Sequence, residues 1–142
     1  MSHETLIVAH EGPVLKVTMN RPDVRNALSP VMVRELTDVF QQARDDAEVR
    51  AVVLMGAGGT FCAGGDLKGM ESSDAARGAS KEATAASNRR FGALLELADA
   101  LPKAVIALIE GAAMGGGVGL VAISDWATGR SPREERGSAR RR

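Results

Sequence analysis

Two glycine-rich turns, well separated along the chain, are the residues best suited to chemistry. One is Phe61-Cys62-Ala63-Gly64-Gly65-Asp66-Leu67-Lys68. The other is Gly111-Ala112-Ala113-Met114-Gly115-Gly116-Gly117-Val118-Gly119-Leu120. Each follows an apolar run and each is placed to open a helix. Side by side, two such turns aim two backbone N–H groups at one oxygen atom, the basic requirement of an oxyanion hole. Taken alone, either cluster reads as a tight turn or as close helix–strand packing, because glycine's main use is backbone permissiveness. Gly111, Gly115 and Gly119 recur every four residues, a spacing that lets two elements approach closely. The pair therefore says more than either member.

Other chemistries find less support. The first turn lacks the Gly-Lys-Ser/Thr ending of a phosphate-binding loop, and neither turn gives a clean G-x-G-x-x-G. His3 and His10 lie at the first strand, far in sequence from both turns, and read as surface or strand positions. Cys62 has no histidine near it in sequence and reads as a small buried side chain. Asp66 is a candidate cap for the helix after its turn. Lys68 either meets a phosphate or is solvated. Glu110 and Asp125, the acidic residues nearest the second turn, read as caps or surface charges rather than general bases.

The elements that must position these turns follow from the pattern. Thr5 to His10 and Val14 to Met19 read as two strands, separated by the turn residues Gly12-Pro13. Ser29-Pro30 is a helix start, with Ser as N-cap and Pro in the first turn. Met32, Leu36, Val39, Phe40 and Ala43 follow at helical spacing. Ala51 to Met55 is a short, continuous apolar run, typical of a strand covered on both faces. Gly69 to Asn88 is rich in Ala, Ser, Gly and charge and reads as a surface loop, with a helix beginning in its second half and running to about Ala100. Phe91, Leu94, Leu95 and Ala98 form the apolar stripe of that helix, and Pro102 stops it. Ala104 to Ile109 reads as another buried strand, Gly111 to Gly117 as a turn, and Val118 to Ile123 as a helix. Strands alternating with helices indicate an α/β layered fold with right-handed crossovers.

The chain has 142 residues, enough for one ordinary domain. Aromatic residues make up only 3%, so the core must be aliphatic. The formal net charge is zero, but residues 128–142 hold six Arg against two Glu, leaving the body mildly acidic. No basic stripe interleaves with aromatics, which argues against nucleic-acid binding. That tail has no aliphatic side chain larger than Ala and is expected to be disordered, so the composition divides the chain into 1–127 and 128–142. With one cysteine no intrachain disulfide forms, which suits a reducing, cytoplasmic setting. Ala104 to Ile123 is long enough to span a bilayer, but its five glycines favour a strand, a turn and a helix, so no membrane association is expected.

With these motifs in order, the chain resembles the N-terminal part of the enoyl-CoA hydratase/isomerase (crotonase) superfamily. The carriers are Asn20-Arg21-Pro22 with Asn26-Ala27-Leu28, then Phe61 to Lys68, then Lys103 to Ala107 leading into Gly111 and Met114 to Gly117. The resemblance covers about Thr5 to Trp126. It implies a crotonase-like ββα spiral, truncated, and an acyl-CoA thioester as partner, with coenzyme A entering as part of the substrate and no separate cofactor or metal. The family is typically homo-oligomeric. By resemblance, the N–H groups of Gly65 and Gly116 form the oxyanion hole. Val24, Arg25, Ala27, Ala63, Gly64, Asp66, Leu67 and Lys68 then line the path of coenzyme A, and Gly69 to Asn88 is the variable loop over the acyl pocket.

The departures matter as much. Hydratases of the family commonly use two glutamates to place and activate water. The first position is Gly119 here, as in family members acting on branched or glutaconyl-type substrates. The second falls near Ala139, and neighbouring Glu134 and Glu135 sit in the Arg-rich tail and are not read as catalytic. The expected activity is reversible hydration of a 2-enoyl-CoA. The rivals are another reaction of the family, double-bond isomerisation or thioester hydrolysis, or a fragment that at most binds acyl-CoA or a paralogous subunit. The last rival predicts an exposed apolar patch, and the abrupt tail is expected to be aberrant, out-of-frame sequence.

Overall fold

The computed structural model describes residues 2–65 and 76–130. Its centre is a five-stranded sheet in which spatial order follows chain order. Strands β1 (Leu6–Glu11) and β2 (Val14–Met19) form an antiparallel hairpin, in register from Leu6 opposite Met19 to Glu11 opposite Val14. Strands β3 (Ala51–Gly56), β4 (Ala104–Glu110) and β5 (Trp126–Arg130) then add in parallel. Parallel neighbours need crossovers, and three helices supply them: α1 (Pro30–Asp45), α2 (Ala76–Asp99) and α3 (Gly116–Ala122).

Local signals explain the first crossover. Ser29 has extended backbone and its side chain accepts from Met32 N at 3.1 Å, with Pro30 in the first turn. Met32, Leu36, Val39, Phe40 and Ala43 are all buried on one face of α1. They meet Val17, Val52, Leu54, Val105 and Ala107 from the sheet, and Leu94 and Ala98 from α2, in one core cluster. At the far end of α1, Lys103 Nζ donates to the carbonyls of Ala43 and Asp46. That places a cation's donors on carbonyls at the helix C-terminus, where acceptors lack partners within the helix. The start of β4, the strand that follows Lys103, is thereby tied to the end of α1.

Two expectations change. Helix α2 begins at Ala76, a few residues before the second half of residues 69–88, where the helix was expected to start. Ala76, Ala79, Ala83, Ala85 and Ala86 lie in the first half of the helix. Alanine is the strongest helix former, so low hydrophobicity there does not mean loop. Residues 69–75 of that segment lie outside the described residues. Strand β5 is the second change. It carries Thr128, Gly129 and Arg130 into the sheet, across the boundary that composition set after Ala127, so these three residues are not disordered tail. Backbone pairing does this work, from Ile106 beside Trp126 to Glu110 beside Arg130. Asp125 anchors the strand's start: its N–H donates to Val105 O and its Oδ2 accepts from Val105 N, both at 2.8 Å. Residues 131–142, the rest of the Arg-rich tail, lie outside the described residues.

The core sits on one face of the sheet. On the other, alternation along β4 puts Ile106 and Leu108 outward, and Trp126 of β5 stands beside Ile106. Leu108 is 37% exposed and Trp126 68%, so this apolar face is bare among the described residues. No described helix is long and apolar enough to cross a membrane.

Candidate functional site

The loop after β2 builds the first wall. Arg25 and Asn26 both have positive φ, 53° and 55°, unusual for residues other than glycine. Hydrogen bonds hold them there. Asn26 is fully buried, and its N–H donates to Arg21 O at 2.9 Å. Its Oδ1 accepts from Arg21 N at 2.8 Å. Its Nδ2 donates to Ala57 O at 2.9 Å and Thr60 O at 2.7 Å. Arg21 also reaches forward, with Nη1 donating to Ala27 O at 2.6 Å. One asparagine thus locks the loop after β2 to the loop after β3.

The first glycine turn lies between that loop and the second turn. On one side Ala63 N donates to Arg25 O at 3.0 Å and Leu28 N to Gly64 O at 2.7 Å. On the other, Cys62 N donates to Ala112 O at 3.2 Å and Met114 N to Cys62 O at 2.9 Å. Leu28 pairs with Gly65, and Cys62 with Ala113, both in the parallel sense. The three segments form a small ribbon apart from the main sheet. It brings together the two turns that the sequence keeps apart.

The contact between the turns requires glycine. Gly64 has φ 93°, and a Cβ there would lie 2.9 Å from Met114 O and 3.5 Å from Gly116 N. A Cβ on Gly117 would lie 2.7 Å from Cys62 O. Backbone on backbone leaves no flexible side chain to yield. Among the described residues, the donors engaged in these turns are the N–H groups of Cys62, Ala63, Met114, Gly117 and Val118, together with Gly64, whose N–H meets Cys62 Sγ at 3.5 Å. Gly65 and Gly116 are not among them. Gly116 is the first residue of α3, where helix N–H groups have no partner within the helix.

The other candidates fall into place around this contact. Ala27 and Gly64 are buried, Val24 and Ala63 half-buried, and Arg25 and Gly65 exposed. All six lie on the ribbon or the loop leading into it. Asp66, Leu67 and Lys68 lie outside the described residues. Cys62 is fully buried and free. Burial pushes its thiol pKa up, against a smaller opposing pull from the Gly64 N–H, so it stays protonated and acts as packing under Gly117. His10 is exposed on β1 and Glu110 exposed at the end of β4. Asp125 serves β5, as described above. Among the described residues no group of three His, Cys, Asp or Glu side chains is placed to hold a metal ion.

Two contributors escape sequence reasoning. Asn26 stands in a recognisable motif, but its locking role depends on Thr60, distant in sequence. Phe91 reads only as part of a helix stripe, yet its ring lies against α3. A Cβ on Gly116 would stand 3.2 Å from Phe91 Cζ and 2.8 Å from Leu28 Cδ1.

Two glycine turns in backbone contact beside a mostly parallel sheet with crossover helices define a class of fold that comparison with known proteins resolves. The model of the enoyl-CoA hydratase/isomerase family matches residues 9–130, and the chain belongs to that family, of which it represents the N-terminal portion. Enoyl-CoA hydratase EchA19 of Mycobacterium tuberculosis is 39% identical over 119 residues, covering 84% of this chain and 44% of that protein. The structure of Pseudomonas aeruginosa AtuE superposes with a TM-score of 0.82 at 52% identity, covering 89% of this chain and 48% of the other. An enoyl-CoA hydratase/isomerase from Marinobacter aquaeolei gives 0.79 at 48% identity, with the same coverage of both chains. The crotonase-like fold is thereby established, and the chain spans about half the length of the relatives it matches.

Proposed function

We propose that this chain carries the thioester-binding half of an enoyl-CoA hydratase-type site. The Gly65 and Gly116 N–H groups would receive the carbonyl oxygen of a 2-enoyl-CoA. As a water oxygen adds to the β-carbon, the double-bond electrons move onto that carbonyl oxygen, and the two N–H groups hold the resulting enolate. The added water gives up one proton to solvent and the α-carbon takes one up from solvent, which completes hydration. A donor of this kind typically contributes about 2.7–4 kcal/mol to lowering the barrier. The observation that supports the reading is the backbone contact between Gly64, the neighbour of Gly65, and the Met114–Gly116 turn. Coenzyme A would lie along the ribbon at Val24, Arg25, Ala27, Ala63 and Gly64, and continue toward Asp66, Leu67 and Lys68.

Gly119 favours a second reading. It offers no acid–base group, so in this reading the chain binds acyl-CoA without turning it over. One experiment separates the two. The protein is titrated with crotonyl-CoA and with free coenzyme A, and hydration is followed by loss of the enoyl-thioester absorbance. Tighter binding of the thioester with turnover supports hydratase chemistry, and tighter binding without turnover supports the second reading. Equal binding of both ligands removes the oxyanion-hole assignment altogether.

A further inference from the structure

The face of the sheet turned away from the core is built mostly of hydrocarbon. Register places Lys16, Val53, Ile106 and Trp126 side by side in one row across β2 to β5, and Thr18, Met55, Leu108 and Thr128 in the next. In β3, β4 and β5, Thr128 alone is polar in these rows. Val53, Met55, Ile106, Leu108 and Trp126 belong neither to the buried core cluster nor to the side chains packed against it. The described charges lie at the rim. Lys16 pairs with Glu11 at 2.7 Å on the β1–β2 side, and Glu110 ends β4. An apolar centre with a polar rim is the anatomy of a protein–protein interface. Parallel strands are ordinarily covered on both faces, and β3 and β4 have the continuous apolar runs of such strands.

From this we infer that the outer face of the sheet is an interface, and that its occupant is a second copy of this chain, packed sheet on sheet about a twofold axis. The rest of the 142 residues does not suit the role. Residues 131–142, which follow β5, hold five Arg and two Glu and no aliphatic side chain larger than Ala. Residues 66–75 hold four charged side chains, with Leu67 and Met70 as their large apolar ones. Laying such charges on hydrocarbon costs more than it gains. A copy of the same face brings matching hydrocarbon, and a twofold axis makes one patch complementary to itself and closes the assembly at two. The sheets then stack about 10 Å apart with side chains interdigitated. Five strands at about 4.8 Å spacing, with about five residues each, cover roughly 400 Å² in plan. The accessible area is larger but still at the small end against about 800 Å² per partner in a standard interface, so the dimer is weak and reversible. This face lies across the sheet from the helices, and the inference does not depend on the reading of the thioester site.

The test is sedimentation velocity of the 142-residue chain from about 1 to 200 µM, with the fluorescence of Trp126, the sole tryptophan, read over the same range. A monomer–dimer equilibrium is expected, and the Trp126 emission should move to shorter wavelength as dimer forms. Leu108→Lys puts a charge on the face and should raise the dimer dissociation constant about ten-fold or more, with an unchanged circular dichroism spectrum. Thr128→Lys, exposed and beside Leu108 in the same row, should act in the same direction and decides the matter if Leu108→Lys fails to fold. Val118→Lys, at an exposed apolar position of α3, should leave the dimer intact. A chain that stays monomeric across the range overturns the inference, whether Trp126 emits as exposed or as already covered. So do assembly that does not stop at two, and association that Val118→Lys weakens as much as Leu108→Lys does.

Discussion

Asn26 Nδ2 donates to Thr60 O at 2.7 Å, and this bond joins two loops that are remote in sequence. The same amide donates to Ala57 O, and its oxygen accepts from Arg21 N. Replacing Asn26 by Ala strands two carbonyls and an N–H, and puts a Cβ-bearing residue without a local hydrogen bond at φ 55°. Each stranded group costs about 1–3 kcal/mol. Asn26→Ala is expected to lose about 3 kcal/mol or more in urea unfolding. Asn26→Gly tolerates the φ but loses the same bonds, so it should fall between alanine and wild type. A glycine variant as stable as wild type would show that backbone conformation, not the bonds, is what matters.

Gly64 holds the two turns in contact, and Gly65 beside it does not. No described atom lies within 4 Å of a Cβ on Gly65, whereas one on Gly64 would meet Met114 O at 2.9 Å. Gly64→Ala should therefore separate the turns and weaken binding of crotonyl-CoA, and of free coenzyme A with it, because Gly64 also belongs to the ribbon along which coenzyme A is proposed to lie. Gly65→Ala should melt within about 0.5 kcal/mol of wild type, as surface changes usually do. Thermal melts and thioester titrations of both variants check the contrast.

The legible and illegible parts of the molecule divide along physical lines. Strand β2 and helix α1 were readable because alternation and the Ser29-Pro30 start are local signals. Strand β5 was not, because Trp126-Ala127-Thr128-Gly129-Arg130 has no apolar alternation and is held by pairing to β4. The helix of α2 was expected, but its start at Ala76 was not marked, because the alanines there favour helix without marking a buried face. The two glycine turns were readable as a pair, but their contact depends on the ribbon from Leu28 through Cys62 to Ala113. Phe91 illustrates the limit: its place against Gly116 follows from how α2 packs on α3, which no spacing within α2 encodes.

Glu35 ties the N-terminus to α1. It accepts from Glu4 N at 2.6 Å, from Thr5 N at 2.9 Å and from Thr5 Oγ1. Burial, the largest single influence, pushes its pKa up. The hydrogen bonds from Thr5 and Glu4, with the charge of His3, together outweigh it and set the carboxyl below its ordinary value. A depressed folded-state pKa stabilises above the unfolded value of about 4.3, and the contribution is lost as pH falls through the folded-state value. The stability gap between wild type and Glu35→Gln should thus be constant from pH 7 to about 5, and close below about pH 4. A gap that persists undiminished at pH 3 assigns the effect to packing rather than charge.

Gly119 leaves little room for the side chain it lacks. Its Cβ position lies 3.3 Å from Leu95 Cδ1 and 3.6 Å from Phe91 Cε1, tolerable if the tip of Leu95 shifts. Gly119→Ala should remain within about 1 kcal/mol of wild type, since the helix-propensity gain of replacing glycine is of that size and offsets the squeeze. Gly119→Glu is different, because a longer chain must displace Leu95 or Phe91 and set a carboxylate among hydrocarbon. Overpacking typically costs about 1–3 kcal/mol, and desolvation disfavours the charged form. The carboxyl should titrate above its ordinary value, so the penalty grows as pH rises through that raised value. Unfolding of Gly119→Glu at pH 5 and pH 8 measures it. If the penalty is the same at both, the new carboxylate has found water, and the wall of α2 over position 119 opens more readily than its contacts imply.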